Sequence, residues 1–139
     1  MLAAVAEKPK RVLIVDDEPD LVRTVGLRLM SAGYDVISAP DGMMATNLAI
    51  NERPDVIVMD IGLPAGDGHA IANRLHNNTR TMGIPIIYLT ARMGRQDVEQ
   101  ARENGAFAYL VKPYEAAELL SMVRIAIETP RRPPVSASA

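Results

Sequence analysis

The chain has 139 residues, is 48% hydrophobic and 23% charged, carries a net charge of -2 and contains no cysteine. That composition fits one ordered globular domain, with no general basic footprint for nucleic acid, no disulfide framework and no thiolate metal site. No apolar run approaches the roughly 20 residues of a membrane span, so the expectation is a cytoplasmic domain.

Residues 1–10 are small, charged and interrupted by Pro9, and read as a flexible leader. Val12-Leu13-Ile14-Val15 is an unbroken apolar run, which reads as a strand covered on both faces, and Asp16 and Asp17 close it. Glu18-Pro19-Asp20 suits the first turn of a helix whose apolar face is Leu21, Val22, Val25 and Leu29, and Gly33 stops it. A second strand over 34–39 is broken by Asp35 and Ser38 and belongs nearer an edge. Pro40-Asp41-Gly42 turns the chain into a helix over about 43–51, with Ala45, Leu48 and Ala49 inward and Met43 and Met44 as gap-fillers or half-exposed.

Val56-Ile57-Val58-Met59 is the third buried run; it ends in Asp60 and a loop rich in Gly and Pro. A helix over about 68–76 turns Ile71 and Leu75 inward, and its two histidines, His69 and His76, are expected on the solvated side. A polar connection over 77–83 leads to a fourth strand over 84–89, with Pro85 near its start, followed by Thr90. The next helix, about 95–104, is more polar, with Arg102 and Glu103 on a solvated face. Ala108-Tyr109-Leu110-Val111 is the fifth strand and runs into Lys112-Pro113. The last helix, about 115–128, buries Leu119, Val123, Ala126 and Ile127; residues 129–139 lack periodicity and read as a disordered tail or linker, with a weak PxxP pattern from Pro130 to Pro133. Strands that alternate with helices imply βαβ units and a doubly wound parallel sheet over 11–128.

Ligands bind open α/β sheets at the carboxyl ends of the strands. The residues that close the buried strands are Asp16, Asp17, Asp60, Thr90 and Lys112. If the first strand lies between the second and third, these ends share one cleft. Crowded carboxylates repel, and the ordinary remedies are a raised pKa or a bound cation. Oxygen donors without nearby His or Cys favour a hard ion, Mg2+ above all. An Asp beside Mg2+, a fixed ammonium and a hydroxyl is equipped to attack phosphorus.

The segments VLIVDDEPD, VIVMDIGLPAGDG, PIIYLTA and YLVKPY stand in the order and spacing of one family. From about residue 11 to 128 the chain resembles the receiver domain of two-component response regulators. The resemblance implies a flavodoxin-like, receiver-like α/β fold, a five-stranded parallel sheet in the order 2-1-3-4-5. It also implies that Asp60 is the phosphoacceptor and that Mg2+ is held by Asp16, Asp17, Asp60 and the backbone carbonyl of Gly62. Thr90 then corresponds to the switch hydroxyl, Lys112 to the phosphate-binding lysine before a cis peptide at Pro113, and Tyr109 to the aromatic that swings between outward and inward rotamers. The expected partners are a histidine kinase or histidine phosphotransfer protein as donor and a downstream protein read by the surface of the 95–104 helix, fifth strand and last helix, with dimerisation on phosphorylation a further option. No direct nucleic-acid or membrane contact is expected.

Two positions depart from the family pattern and bear on the lifetime of the phosphorylated state: Gly62 has no side chain to orient water, and Arg92 puts a cation two residues after Thr90. Such a domain catalyses only its own phosphorylation and dephosphorylation and is not otherwise an enzyme. The rivals are a Mg-dependent aspartyl-nucleophile phosphatase or phosphotransferase, which resembles a D-x-D at the first strand that is missing here, and a phosphorylation-independent binding module. About 11 residues after the last helix hold no output domain, so the expectation is a single-domain regulator or a receiver cut from a longer one.

Overall fold

A computed structural model of the chain describes residues 8–61, 68–91, 99, 102–103 and 105–130. In chain order these form β1 (Arg11–Val15), α1 (Pro19–Ser31), β2 (Asp35–Ala39), α2 (Gly42–Glu52), β3 (Val56–Asp60), α3 (Gly68–His76), β4 (Ile86–Thr90), β5 (Ala108–Val111) and α4 (Ala116–Glu128). Of the helix expected over 95–104, Glu99, Arg102 and Glu103 are helical and exposed, and the rest lies outside the described residues.

The sheet runs β2-β1-β3-β4-β5, every pair parallel. The unbroken apolar runs work because alternate residues serve opposite cores. Leu13, Val15, Ile57, Met59 and Tyr88 pack on the side of α2 and α3. Val12, Ile14, Val58, Leu89 and Leu110 pack on the side of α1 and α4. β2 is an edge strand, as its mixed pattern implies, and only Ala39 in it is fully buried. The fourth strand starts at Ile86 rather than 84, because pairing with β3 begins at Ile57↔Ile86 while the Pro85 carbonyl accepts from Ile57 N–H at 2.9 Å.

Two ends of the sheet do different work. At the amino end Arg11 ties β1 to β2, to α2 and to the residue before β3: Nε donates to Asp35 at 2.6 Å, Nη1 to Glu52 at 2.9 Å, and its backbone N–H to Asp55 at 2.8 Å. At the carboxyl end the register Val15↔Met59, Asp60↔Leu89 and Thr90↔Val111 brings Asp16, Asp60, Thr90 and Lys112 to one rim.

One expectation is corrected. His69 is not solvated; it is 4% exposed and lies against the buried ring of Tyr88, whereas His76 is exposed. Its place in the first turn of α3, against the sheet, overrides the polar character of imidazole. Met43 and Met44, by contrast, are largely open, at 77% and 48%. Among the described residues no helix is long and apolar enough to cross a membrane.

Candidate functional site

The rim is built from backbone first. Asp16 leaves β1 with its N–H donating to the Ala39 carbonyl at 3.1 Å, and its Oδ1 accepts from the Glu18 N–H at 2.9 Å. That bond turns the chain sharply, so that Glu18 is the N-cap of α1 without using its side chain to cap it. The Glu18 carboxylate instead joins those of Asp16 and Asp60, all within 4.8 Å of one another. Asp17, between them, is exposed and lies outside that trio.

Asp60 ends β3, and its Oδ2 is 3.3 Å from Lys112 Nζ, with side-chain exposures of 13% and 23%. The Lys112 N–H donates to the Thr90 carbonyl at 2.7 Å, which fixes the lysine to the end of β4. Thr90 itself is 4% exposed. The Lys112–Pro113 peptide is cis. Tyr109 lies in β5, 43% exposed. Gly62 and Arg92 lie outside the described residues.

Behind Asp60, α3 starts close against the end of β3. The Gly68 N–H donates to the Ile61 carbonyl at 3.2 Å, and a Cβ on Gly68 would stand 2.5 Å from Ile61 Cα and 2.9 Å from the Asp60 carbonyl oxygen. Only glycine lets α3 start this close to the strand that carries Asp60.

The electrostatics follow from this crowding. Burial pushes the Asp16 carboxyl above its usual range and the charge of Asp60 adds to it, with the Glu18 N–H and Lys112 acting the other way. Burial also raises the Tyr114 phenol, and the charges of Asp16 and Asp60 raise it further, which brings this half-buried ring within their field. Asp16 Oδ2 is buried and accepts no hydrogen bond among the described residues. A buried carboxylate oxygen with no donor, between two further carboxylates, fits a hard divalent cation held by oxygen.

Glu18 and Tyr114 are the residues that strand-end reasoning missed. Glu18 carried a weak signal, since a residue two after a strand-closing Asp can fold back through an Asx-type turn. Tyr114 carried none.

Residues 12–124 match the family model of the response regulator receiver domain. Over 127 residues the chain is 40% identical to the DNA-binding dual master transcriptional regulator RpaA of Synechocystis, covering 91% of this chain and 53% of that protein. It is 37% identical over 123 residues to the transcriptional regulatory protein PdtaR of Mycobacterium tuberculosis, covering 88% and 58%. The chain therefore spans little more than half the length of these curated relatives. Among solved structures, the chemotaxis protein CheY4 of Vibrio cholerae superposes with a TM-score of 0.81 at 30% identity, covering 85% of this chain and 98% of that one. The receiver domain of the sensor histidine kinase PA1611 of Pseudomonas aeruginosa gives 0.80 at 32% identity, covering 87% and 99%, and that structure has a magnesium ion coordinated in its active site cleft.

Proposed function

The chain belongs to the response regulator receiver domain family, and from that premise we propose that Asp60 is its phosphoacceptor, served by Lys112, Thr90 and a divalent cation. The observation that carries this reading is the convergence of Asp16, Glu18, Asp60 and Lys112 at the carboxyl end of the sheet. An oxygen of Asp60 attacks the phosphorus of a phosphohistidine on a kinase or phosphotransfer protein. The P–N bond breaks, its electron pair stays on the imidazole nitrogen, and an acyl phosphate remains on Asp60.

Lys112 already pairs with Asp60 and is placed to meet phosphoryl oxygens, while the Thr90 hydroxyl offers a donor from the neighbouring strand end. Asp16, Asp17, Asp60 and the backbone carbonyl of Gly62 would hold Mg2+, with the Glu18 carboxylate close to those of Asp16 and Asp60. Bound there, the ion would supply positive charge to the carboxylates and to the transferring group. The acyl phosphate adds about -1.5 to -2 charges, which draws Thr90 and Lys112 toward it. Tyr109 follows from its exposed position, and the surface of β5, α4 and the 95–104 segment changes its affinity for a downstream protein or a second copy. Gly62 and Arg92 tune the lifetime of this state. The domain works in the cytoplasm, with no reaction beyond its own phosphorylation and dephosphorylation.

Incubation with a small acyl phosphate and Mg2+ should place one acyl phosphate per chain, on Asp60, and chelation should prevent it. Equal labelling of Asp60→Asn would defeat the assignment. Continuous turnover of a phosphate ester would assign a phosphatase instead.

A further inference from the structure

The switch reading of Tyr109 leaves two buried aromatic residues on the same face of the sheet without a role. Tyr88 in β4 is 0% exposed and stands opposite Tyr109 in register, Tyr88↔Tyr109. Paired residues of adjacent parallel strands point to one face about 4.8 Å apart, and burial identifies that face. Leu89 and Leu110, the next residues along, belong to the opposite core, and Tyr88 belongs to the core on the side of α3. Tyr109 therefore leaves the sheet on the same face as Tyr88, from the neighbouring strand.

The Tyr88 ring is in turn placed by His69. The two ring centroids are 5.4 Å apart and the planes stand at 85°, an edge-to-face contact, with His69 itself 4% exposed. His69 is tied to the phosphoacceptor strand through the residue before it, since Gly68 bonds to Ile61 and lies close behind the Asp60 carbonyl. Packed groups thus run from the backbone of Asp60 through Gly68 and His69 to Tyr88, and the register sets Tyr109 on the strand beside it. It bypasses Thr90.

We infer that the His69–Tyr88 ring pair is a positioning element that sets the resting place of Tyr109 and couples it to the backbone at Asp60, by a route separate from the Thr90 hydroxyl. This rests on the reading of Tyr109 as the moving aromatic. Coupling of this kind needs packing that leads to an element with two discrete arrangements; the His69–Tyr88 contact supplies the first, and the proposed outward and inward positions of Tyr109 the second. The imidazole acts by its shape and position, so a phenyl ring should substitute for it and a methyl group should not.

The test uses the full chain with carbon-13 in its tyrosines, of which there are four, and Tyr109→Phe assigns the Tyr109 signal. Without phosphodonor, His69→Ala should move the Tyr109 signal while leaving that of Tyr34, on the opposite side of the sheet, in place as a report on the fold. His69→Phe should restore the wild-type position. Tyr88→Leu should move Tyr109 as His69→Ala does, which keeps the inference testable if either variant folds poorly.

With donor and Mg2+, Asp60 in His69→Ala should label to the wild-type extent while the displacement of Tyr109 on labelling falls by half or more. An unmoved Tyr109 signal in both His69→Ala and Tyr88→Leu overturns the inference, whether or not Asp60 is labelled. Failure of wild-type Asp60 to label would instead overturn the phosphoacceptor reading, and the two failures are read from different signals.

Discussion

Lys112 is the fixed positive charge that the structure sets directly against Asp60 within the acidic rim. Its Nζ is 3.3 Å from Asp60 Oδ2, and its backbone is pinned to Thr90. A hydrogen bond to a charged group contributes about 1.5–3 kcal/mol, so Lys112→Ala should still accept a phosphoryl group but lose most of the Tyr109 response, read by tyrosine spectroscopy on labelled protein. A full response would remove Lys112 from the switch. Gly68 acts at the same scale by having no side chain. Gly68→Ala would set a methyl group against backbone atoms of Asp60 and Ile61 at 2.5–2.9 Å, and backbone cannot yield as a side-chain tip does. Overpacking costs about 1–3 kcal/mol; urea unfolding should show a loss in that range, together with slower labelling of Asp60. Wild-type stability and labelling would show that the start of α3 can move away from Ile61 at no cost. The sequence made Asp16, Asp60, Thr90 and Lys112 legible because each closes an apolar run whose end is sharp. It did not show that Glu18 joins Asp16 and Asp60, because that approach goes with the Asp16 Oδ1 bond to the Glu18 N–H. Gly68, His69 and Tyr114 were illegible as site neighbours for a different reason: their partners are distant along the chain.

At the scale of elements, the same glycine argument changes sign. Gly26 sits inside α1, where a Cβ would meet Val36 Cγ1 at 3.8 Å and Ile14 Cδ1 at 4.0 Å, ordinary contact distances. Glycine in a helix interior costs roughly 0.5–1 kcal/mol relative to alanine, so Gly26→Ala should raise the urea midpoint by an amount in that range without altering Asp60 labelling. A lowered midpoint would mean that α1 must keep its present distance from the sheet. Gly42 does not offer this gain, since a Cβ there would fall 2.7 Å from the Ile71 side chain of α3. The strands were legible because four- and five-residue apolar runs have no helical stripe, and α1, α2, α3 and α4 because their buried residues recur at three- and four-residue spacing. The start of β4 was read two residues early because Ile84 and Pro85 are apolar but lie before the first pair with β3. Strand order was legible only through resemblance, since pairing partners leave no local mark.

The whole molecule folds with a charge cluster that opposes folding, and that opposition has a pH dependence of fixed sign. Burial and the charge of Asp60 raise the Asp16 carboxyl above its unfolded range. The native state therefore binds a proton there over a window in which the unfolded chain has released it, and stability falls as pH rises through that window. The contribution is fully present below the unfolded value, about 3.9, and is lost as pH passes the raised native value. Carboxylates elsewhere, such as Asp35 and Glu52 on Arg11, have their own dependence, so the measurement is a difference between wild type and Asp16→Asn. Without divalent cation the two should unfold at similar temperatures in acid, and Asp16→Asn should become the more stable as pH rises toward neutrality. On the proposed function Mg2+ binds the ionised cluster of the native state alone, and a ligand at about 100 times its dissociation constant stabilises by roughly 2.7 kcal/mol. Excess Mg2+ should therefore raise the wild-type Tm at neutral pH, lose that effect in acid, and leave Asp16→Asn little changed, reversing the order of the two proteins. A difference between them that ignores both pH and Mg2+ would show that Asp16 is protonated, or otherwise neutralised, throughout, and would remove it from the set of metal donors.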